Sequence, residues 1–144
     1  MKYTRYAMLL LVLGATLLFS GCASMSSQTA PGANLAKIKK IYVVHLPPDE
    51  RGINRVIADQ LNLMGYQALT GEANAVPAGI DATLTYQDKW MWDITMYMIR
   101  LSVQLREPQS DIALATATSY RPSLQRKTPA GMAQEVLTQL FQAK

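Results

Sequence analysis

Two stretches of apolar/polar alternation, residues 80–92 and 96–106, constrain this chain more than any other feature. A period of two is the period of a half-buried strand, so both must lie in a sheet with one face on a core. In the first, Ala82, Leu84, Tyr86, Trp90 and Trp92 share a face; Thr83, Thr85, Gln87, Lys89 and Met91 share the other. Asp88 is the misfit on the apolar face. In the second, Tyr97, Ile99, Leu101, Val103 and Leu105 point inward, while Met96, Met98, Arg100, Ser102, Gln104 and Arg106 point outward. The joint between the two runs, Trp92-Asp93-Ile94-Thr95, is a hairpin turn or a bulge. It lacks the Asn-Gly signal that would fix its form.

The flanking segments complete a sheet and supply two helices. Lys39 to Leu46 is β-branched and reads as a buried strand, ended by Pro47-Pro48. Asp49 can cap a helix in which Ile53, Val56, Ile57, Leu61 and Met64 recur at helical spacing, with Gly65 at the position of a C′ glycine. Tyr66 to Leu69 resumes as a short strand, and a strand–helix–strand unit favours a right-handed parallel crossover. After a loop at 70–79 come the hairpin, a turn at 108–111 and an Ala/Thr-rich strand, Ile112 to Tyr120. Thr128 as N-cap and Pro129 at N1 start a last helix with Met132, Val136, Leu137, Leu140 and Phe141 as its stripe. The expected fold is α+β: a two-layer sandwich in β-α-β-β-β-α order. It has a mixed four- to five-stranded sheet with two helices on one face and the other face open.

The N-terminus carries an address. Lys2 and Arg5 precede an apolar run of thirteen residues, Ala7 to Phe19. That is short of the roughly 20 residues a bilayer span needs and fits a signal h-region. Phe19-Ser20-Gly21-Cys22 resembles the lipobox of bacterial lipoproteins, and Cys22 is the chain's sole cysteine. The resemblance implies a signal peptide at 1–21, a lipid on Cys22, and, with Ala23 rather than Asp next, an outer-membrane location facing the periplasm. Several acyl chains at about 0.8 kcal/mol per buried methylene hold where one holds only marginally. Residues 22–36 are then the lipidated cysteine and a tether. Its small polar residues, ASMSSQTAPGANLA, predict a flexible segment with a reach of about 20 Å. Residues 37–144 are the globular domain.

Composition narrows the functions. One cysteine excludes an internal disulfide and a multi-cysteine metal site. Two of the formal +4 charges leave with the signal, so basicity gives no argument for nucleic acid. There is no Gly-rich phosphate loop, GxSxG or HExxH. His45 is the only histidine, without a matched nucleophile, and reads as structural. Asp88 and Asp93 are five residues apart on an alternating strand and so on opposite faces. Their expected roles are an ion pair of Asp88 with Arg100 and turn formation by Asp93. No catalytic residue, cofactor or metal is expected; a Cu(I) site on Met96-x-Met98 lacks a histidine or cysteine partner. The basic loop Arg121, Arg126, Lys127 reads as a solvated end that can also meet anionic lipid.

The run Tyr86-x-Asp88-x-Trp90-x-Trp92-Asp93, followed by Met96-Tyr97-Met98, resembles a signature of small Gram-negative envelope lipoproteins with a β-α-β-β-β-α plan. That plan is also similar to the N-terminal domain of the Tol–Pal translocation protein and to lipoproteins that activate peptidoglycan synthases. This chain lacks the long stalk of such activators. These groups imply action by contact rather than catalysis. On the outer register, Met91, Met96 and Met98 are expected to form a protein-docking patch rimmed by Lys89 and Arg100, for an envelope partner or self-association. The rival expectation is a transport-accessory module holding a small apolar or lipidic ligand between sheet and helices.

Overall fold

The structure, a computed structural model, describes residues 22–142. The signal segment read at 1–21, with Phe19, Ser20 and Gly21, lies outside the described residues. Strand β1 (Ser24–Thr29) comes first, then β2 (Lys40–Val44), helix α1 (Ile53–Leu63) and β3 (Gln67–Gly71). The long strands β4 (Ala82–Trp92) and β5 (Met96–Arg106), β6 (Ala113–Tyr120) and helix α2 (Pro129–Gln142) follow. One mixed sheet holds the strands in the order β1-β6-β5-β4-β2-β3. β2 is parallel to both β3 and β4, and the remaining pairs are antiparallel. The α+β arrangement with both helices packed on the sheet is the expected one, with six strands rather than four or five.

The additional strand is β1, and it corrects the flexible tether. Ser24–Thr29 pairs residue for residue with Tyr120–Ala115 of β6. Its composition gives no strand signal, because an edge strand with one partner is held by backbone pairing more than by its side chains. Gln139 of α2 also donates to the Ser27 hydroxyl, at 3.1 Å.

Local signals place both helices. Asp49 accepts from the N–H groups of Arg51, Ile53 and Asn54, at 2.8, 2.6 and 3.3 Å, so it caps α1 across the turn at Gly52. Gly65, at φ 93°, closes α1: its N–H bonds Asn62 O, and Tyr66 N–H bonds Leu61 O. That pair of bonds is a Schellman motif, and the left-handed φ suits glycine. Thr128 Oγ1 accepts from Gly131 N–H at 3.1 Å and caps α2, as expected. Between the layers Ile57, Leu61, Val136, Leu137 and Leu140 meet Val43, Leu84, Val103 and Leu105, all buried. These side chains form the core between sheet and helices.

The helix-free face is polar. Two rungs cross it, Ser26–Thr118–Ser102–Gln87 and Gln28–Thr116–Gln104–Thr85. Ser102 and Thr118 bond each other across the strands at 3.0 Å. No helix among the described residues is long and apolar enough to cross a membrane.

Candidate functional site at the carboxyl end of the parallel strands

The chain's chemically distinctive groups collect where β2 and β3 end and α1 begins. A cleft of about 430 Å³ opens there, lined among others by His45, Asp49, Arg51, Asn54, Thr70 and Glu72. His45 continues β2. Its Nδ1 lies 2.9 Å from Glu72 Oε1 and its Nε2 lies 3.2 Å from the Asp49 carbonyl. The Asp49 carbonyl and the Glu72 carboxylate raise its pKa above 6.5 against slight desolvation. Both ring nitrogens are engaged, so His45 clasps the β2–α1 loop to the segment after β3.

Asp49 is the buried centre of this end. Burial pushes its carboxyl up, but hydrogen bonds from the Tyr86 hydroxyl and from the N–H groups of Arg51, Asn54 and Ile53 outweigh that and hold it below 3.8. Tyr86 Oη donates to Asp49 Oδ2 at 2.7 Å and accepts from Leu46 N–H at 3.2 Å. Burial, then the neighbouring carboxylate, push the phenol well above its usual range. Asn54 Nδ2 donates to Thr70 Oγ1, which donates to Val43 O. These polar groups satisfy one another. Among the described residues, no group of three or more His, Cys, Asp or Glu side chains is placed to hold a metal ion.

The β4–β5 hairpin rises beyond the cleft. Eleven residues of strand span about 36 Å, whereas the 14 residues of α2 span about 21 Å, so the helices cannot cover the hairpin's end. Arg51 stacks over Trp90, 4.6 Å from the ring centroid, and Trp90 Nε1 donates to Asp88. Past that point the side chains are bare: Trp92 is 68% exposed, Ile94 86% and, on the loop alongside, Leu124 95%. The tip is nevertheless fastened. Asp93 takes bonds from the Ser123 hydroxyl, from Ile94 and Thr95 N–H and from Arg126, which hold its carboxyl down at about 2. Arg126 also reaches Thr95 Oγ1 and covers the ring of Tyr97, 4.8 Å from its centroid. The rest of the basic loop is paired. Arg121 and Lys127 both meet Glu135, which burial pushes up and these cations, with the Ser119 hydroxyl, hold below 4.5.

The expected docking patch is corrected here. A bulge in the β4–β5 ladder sets Lys89 opposite Arg100 but Trp90 opposite Met98, leaving Ile99 unopposed. This one extra residue in β5 inverts the side chains on its tip side, Met96 to Met98, relative to the expected alternation. Met98 therefore turns into the core, 1% exposed, and the soft Met96-x-Met98 pair is not presented to solvent. Met91 and Met96 are exposed, but they sit on neighbouring rungs, opposite Tyr97 and Trp92, and so face opposite ways. Trp92, expected inward, is exposed because no helix reaches it. Asp88 stands opposite Leu101, so the expected Asp88–Arg100 pair does not form; Arg100 lies over Tyr120, at 5.7 Å. Lys89 and Arg100 remain exposed and face each other across the strands. The turn role expected of Asp93 is the one observed. Sequence reasoning missed Ile94 and Leu124, although the strand and helix lengths alone imply an uncovered hairpin end.

No family model matches the chain, and no curated protein matches it. Solved structures do. The fold is similar to that of PelC from Paraburkholderia phytofirmans. A PelC dodecamer structure superposes with a TM-score of 0.63 at 16% identity, covering 85% of this chain and all of that one. A point variant of PelC, also a dodecamer, gives 0.63 at 15% identity over 82% and 97%. A PDZ domain protein from Parabacteroides distasonis gives 0.50 at 10% identity, covering 83% of this chain and 35% of that one. At these identities the likeness is one of fold.

Proposed function

We propose that this protein is an outer-membrane-anchored lipoprotein facing the periplasm, acting by protein contact in envelope assembly or maintenance. The contact begins with copies of itself. The lipobox, with Cys22 exposed just ahead of β1, supports the anchor. The observation that carries the contact is the state of the two sheet edges. β1 and β3 each have one strand neighbour, and each exposes an apolar side chain, Met25 on β1 and Leu69 on β3. Leu63 and Met64, at the end of α1 beside β3, extend the second flank. An unpaired strand edge is a site for association unless something covers it. Two different flanks meeting head to tail form a heterologous contact, which gives a ring where its rotation closes and a filament where it does not. PelC, with a similar fold, is a dodecamer, so a domain of this plan can pack against copies of itself.

The test uses a photo-crosslinking residue at Leu69 or at Met25 in cells carrying the full-length chain. Crosslinks from both positions to a second copy or to one defined envelope protein are expected. Silence at both edges, with the protein still acylated and membrane-bound, removes the contact role. The rival transport-accessory reading draws on one observation, the half-apolar groove of about 450 Å³ beside β3, lined among others by Tyr66, Ala68, Leu69, Pro77 and Ile80. Bound lipid co-purifying with the protein and lost in Leu69→Gln favours that reading instead.

A further inference from the structure

Strand directions set the anchor and the bare hairpin tip at the same end of the molecule. Ser24 faces Tyr120, Tyr120 faces Arg100, and Arg100 faces Lys89, so the start of β1 is level with Lys89 on β4. From that level, two residues lead back to Cys22, at most about 7 Å of chain. In the same direction three residues of β4 lead to Trp92, about 10 Å. The acylation site and the exposed Trp92, Ile94, Met96 and Leu124 therefore lie at about the same height. With β1 paired into the sheet, no slack remains to lift this end from the surface that holds the lipid.

We propose that the β4–β5 tip, with Leu124, is a membrane-docking element that inserts into the headgroup layer of the leaflet holding Cys22. This rests on the anchor reading above. Three observations favour a lipid surface over other occupants. The first is the shared height of tip and anchor. The second is the side-chain mixture: a tryptophan with aliphatic neighbours is the composition that settles at a membrane–water boundary. The third is charge. Lys89 and Arg100 oppose each other directly, and like charges in that arrangement repel. Arg51 adds another exposed cation over Trp90. Asp93, the acid of the tip, is already neutralised by Arg126. A layer of anionic phospholipid headgroups supplies the missing counter-charge at the level where these cations sit, while the apolar tip passes below it. Docking by this end also fits self-association through the flanks. β1 and β3 lie on the two sides of the sheet, so neighbours joined there keep every tip and every anchor on one plane.

The experiment uses acylated full-length protein carrying Trp90→Phe, isolated from membranes and reconstituted into vesicles of phosphatidylethanolamine and phosphatidylglycerol. Trp92 is then the sole tryptophan, and a parallel Trp92→Phe protein reports on Trp90. Trp92 emission is expected to shift to the blue, and lipids brominated near the headgroup are expected to quench roughly half of it or more. Trp90 should be quenched less. Ile94→Ser with Leu124→Ser should reduce the Trp92 quenching while the acyl chains keep the protein on the vesicles. Vesicle-bound protein with aqueous, unquenched Trp92 emission overturns docking and leaves the anchor intact. A blue shift without bromine quenching means that a second protein chain covers the tip, and it overturns docking as well. Mass spectrometry showing Cys22 without acyl chains overturns the anchor and the docking with it.

Discussion

Asp49 binds three backbone N–H groups and the Tyr86 hydroxyl, so one carboxylate joins the start of α1 to the middle of β4. Replacing it removes a helix cap, at about 1 kcal/mol. It also leaves a buried phenol without its acceptor, at about 1–3 kcal/mol. Asp49→Ala is expected to cost about 2–4 kcal/mol in urea unfolding, and Tyr86→Phe about 1 kcal/mol. In the double variant the two losses should be less than additive, because each removes the same bond. The carboxyl's folded pKa lies below 3.8, so its contribution is complete above that value and fades as pH falls through the folded value. His45 has the opposite sign. Its folded pKa is above 6.5, so its clasp contributes fully below 6.5 and weakens as pH rises through the folded value. Urea titrations between pH 5 and 9 should show stability declining on the alkaline side. His45→Asn should flatten that decline; an unchanged slope would mean that His45 does not titrate with folding. The cap at Asp49 was legible because it acts a few residues along the chain. Tyr86, 37 residues away, has no local signal that names its partner.

The two helices were legible for the same local reason: period, cap and closing glycine agree at Thr128, Asp49 and Gly65. The β4–β5 hairpin was legible as two strands but not in its register. A bulge adds a residue without altering the letters, and Met96-Tyr97-Met98-Ile99 can be read in either phase. The structure chooses the phase that buries Met98 under the helices and leaves Met91 and Met96 outside. A buried methionine exchanged for a small polar residue loses its transfer energy and leaves a cavity, about 2–5 kcal/mol. Exposed positions stay within about 0.5 kcal/mol. Met98→Ser should therefore lower stability by several-fold more than Met91→Ser and Met96→Ser combined, measured by denaturation of the same protein. Equal, small losses at all three would restore the uninterrupted register and the docking patch first expected on it.

At the scale of the whole molecule, the edge strand β1 decides how far the domain stands from the anchor proposed at Cys22. β4 and β5 bury Leu84, Tyr86, Leu101, Val103 and Leu105, each contributing about 1.5–3 kcal/mol. β1 buries no large apolar side chain; Met25 is exposed and Ser27 is half-buried. Ordering each of its residues costs about 1–2 kcal/mol of backbone entropy. Each backbone hydrogen bond returns only about 0.5–1.5 kcal/mol net. The two nearly cancel, so β1 should open at little cost while the rest of the sheet stays closed. Opening it frees residues 23–29, ahead of Ala30, whose N–H bonds Leu114 O, and the reach from Cys22 grows from about 7 Å to about 15 Å. The structure holds β1 paired, and its opening is either local or part of global unfolding. Hydrogen exchange read by mass spectrometry distinguishes the two views. Amides in Ser24–Thr29 are expected to exchange orders of magnitude faster than those in Leu101–Leu105, at a denaturant-insensitive rate typical of local opening. Protection of β1 equal to that of β5 would make it part of the global folding unit, hold the proposed anchor at Cys22 permanently against the sheet, and leave the domain no standing-off state.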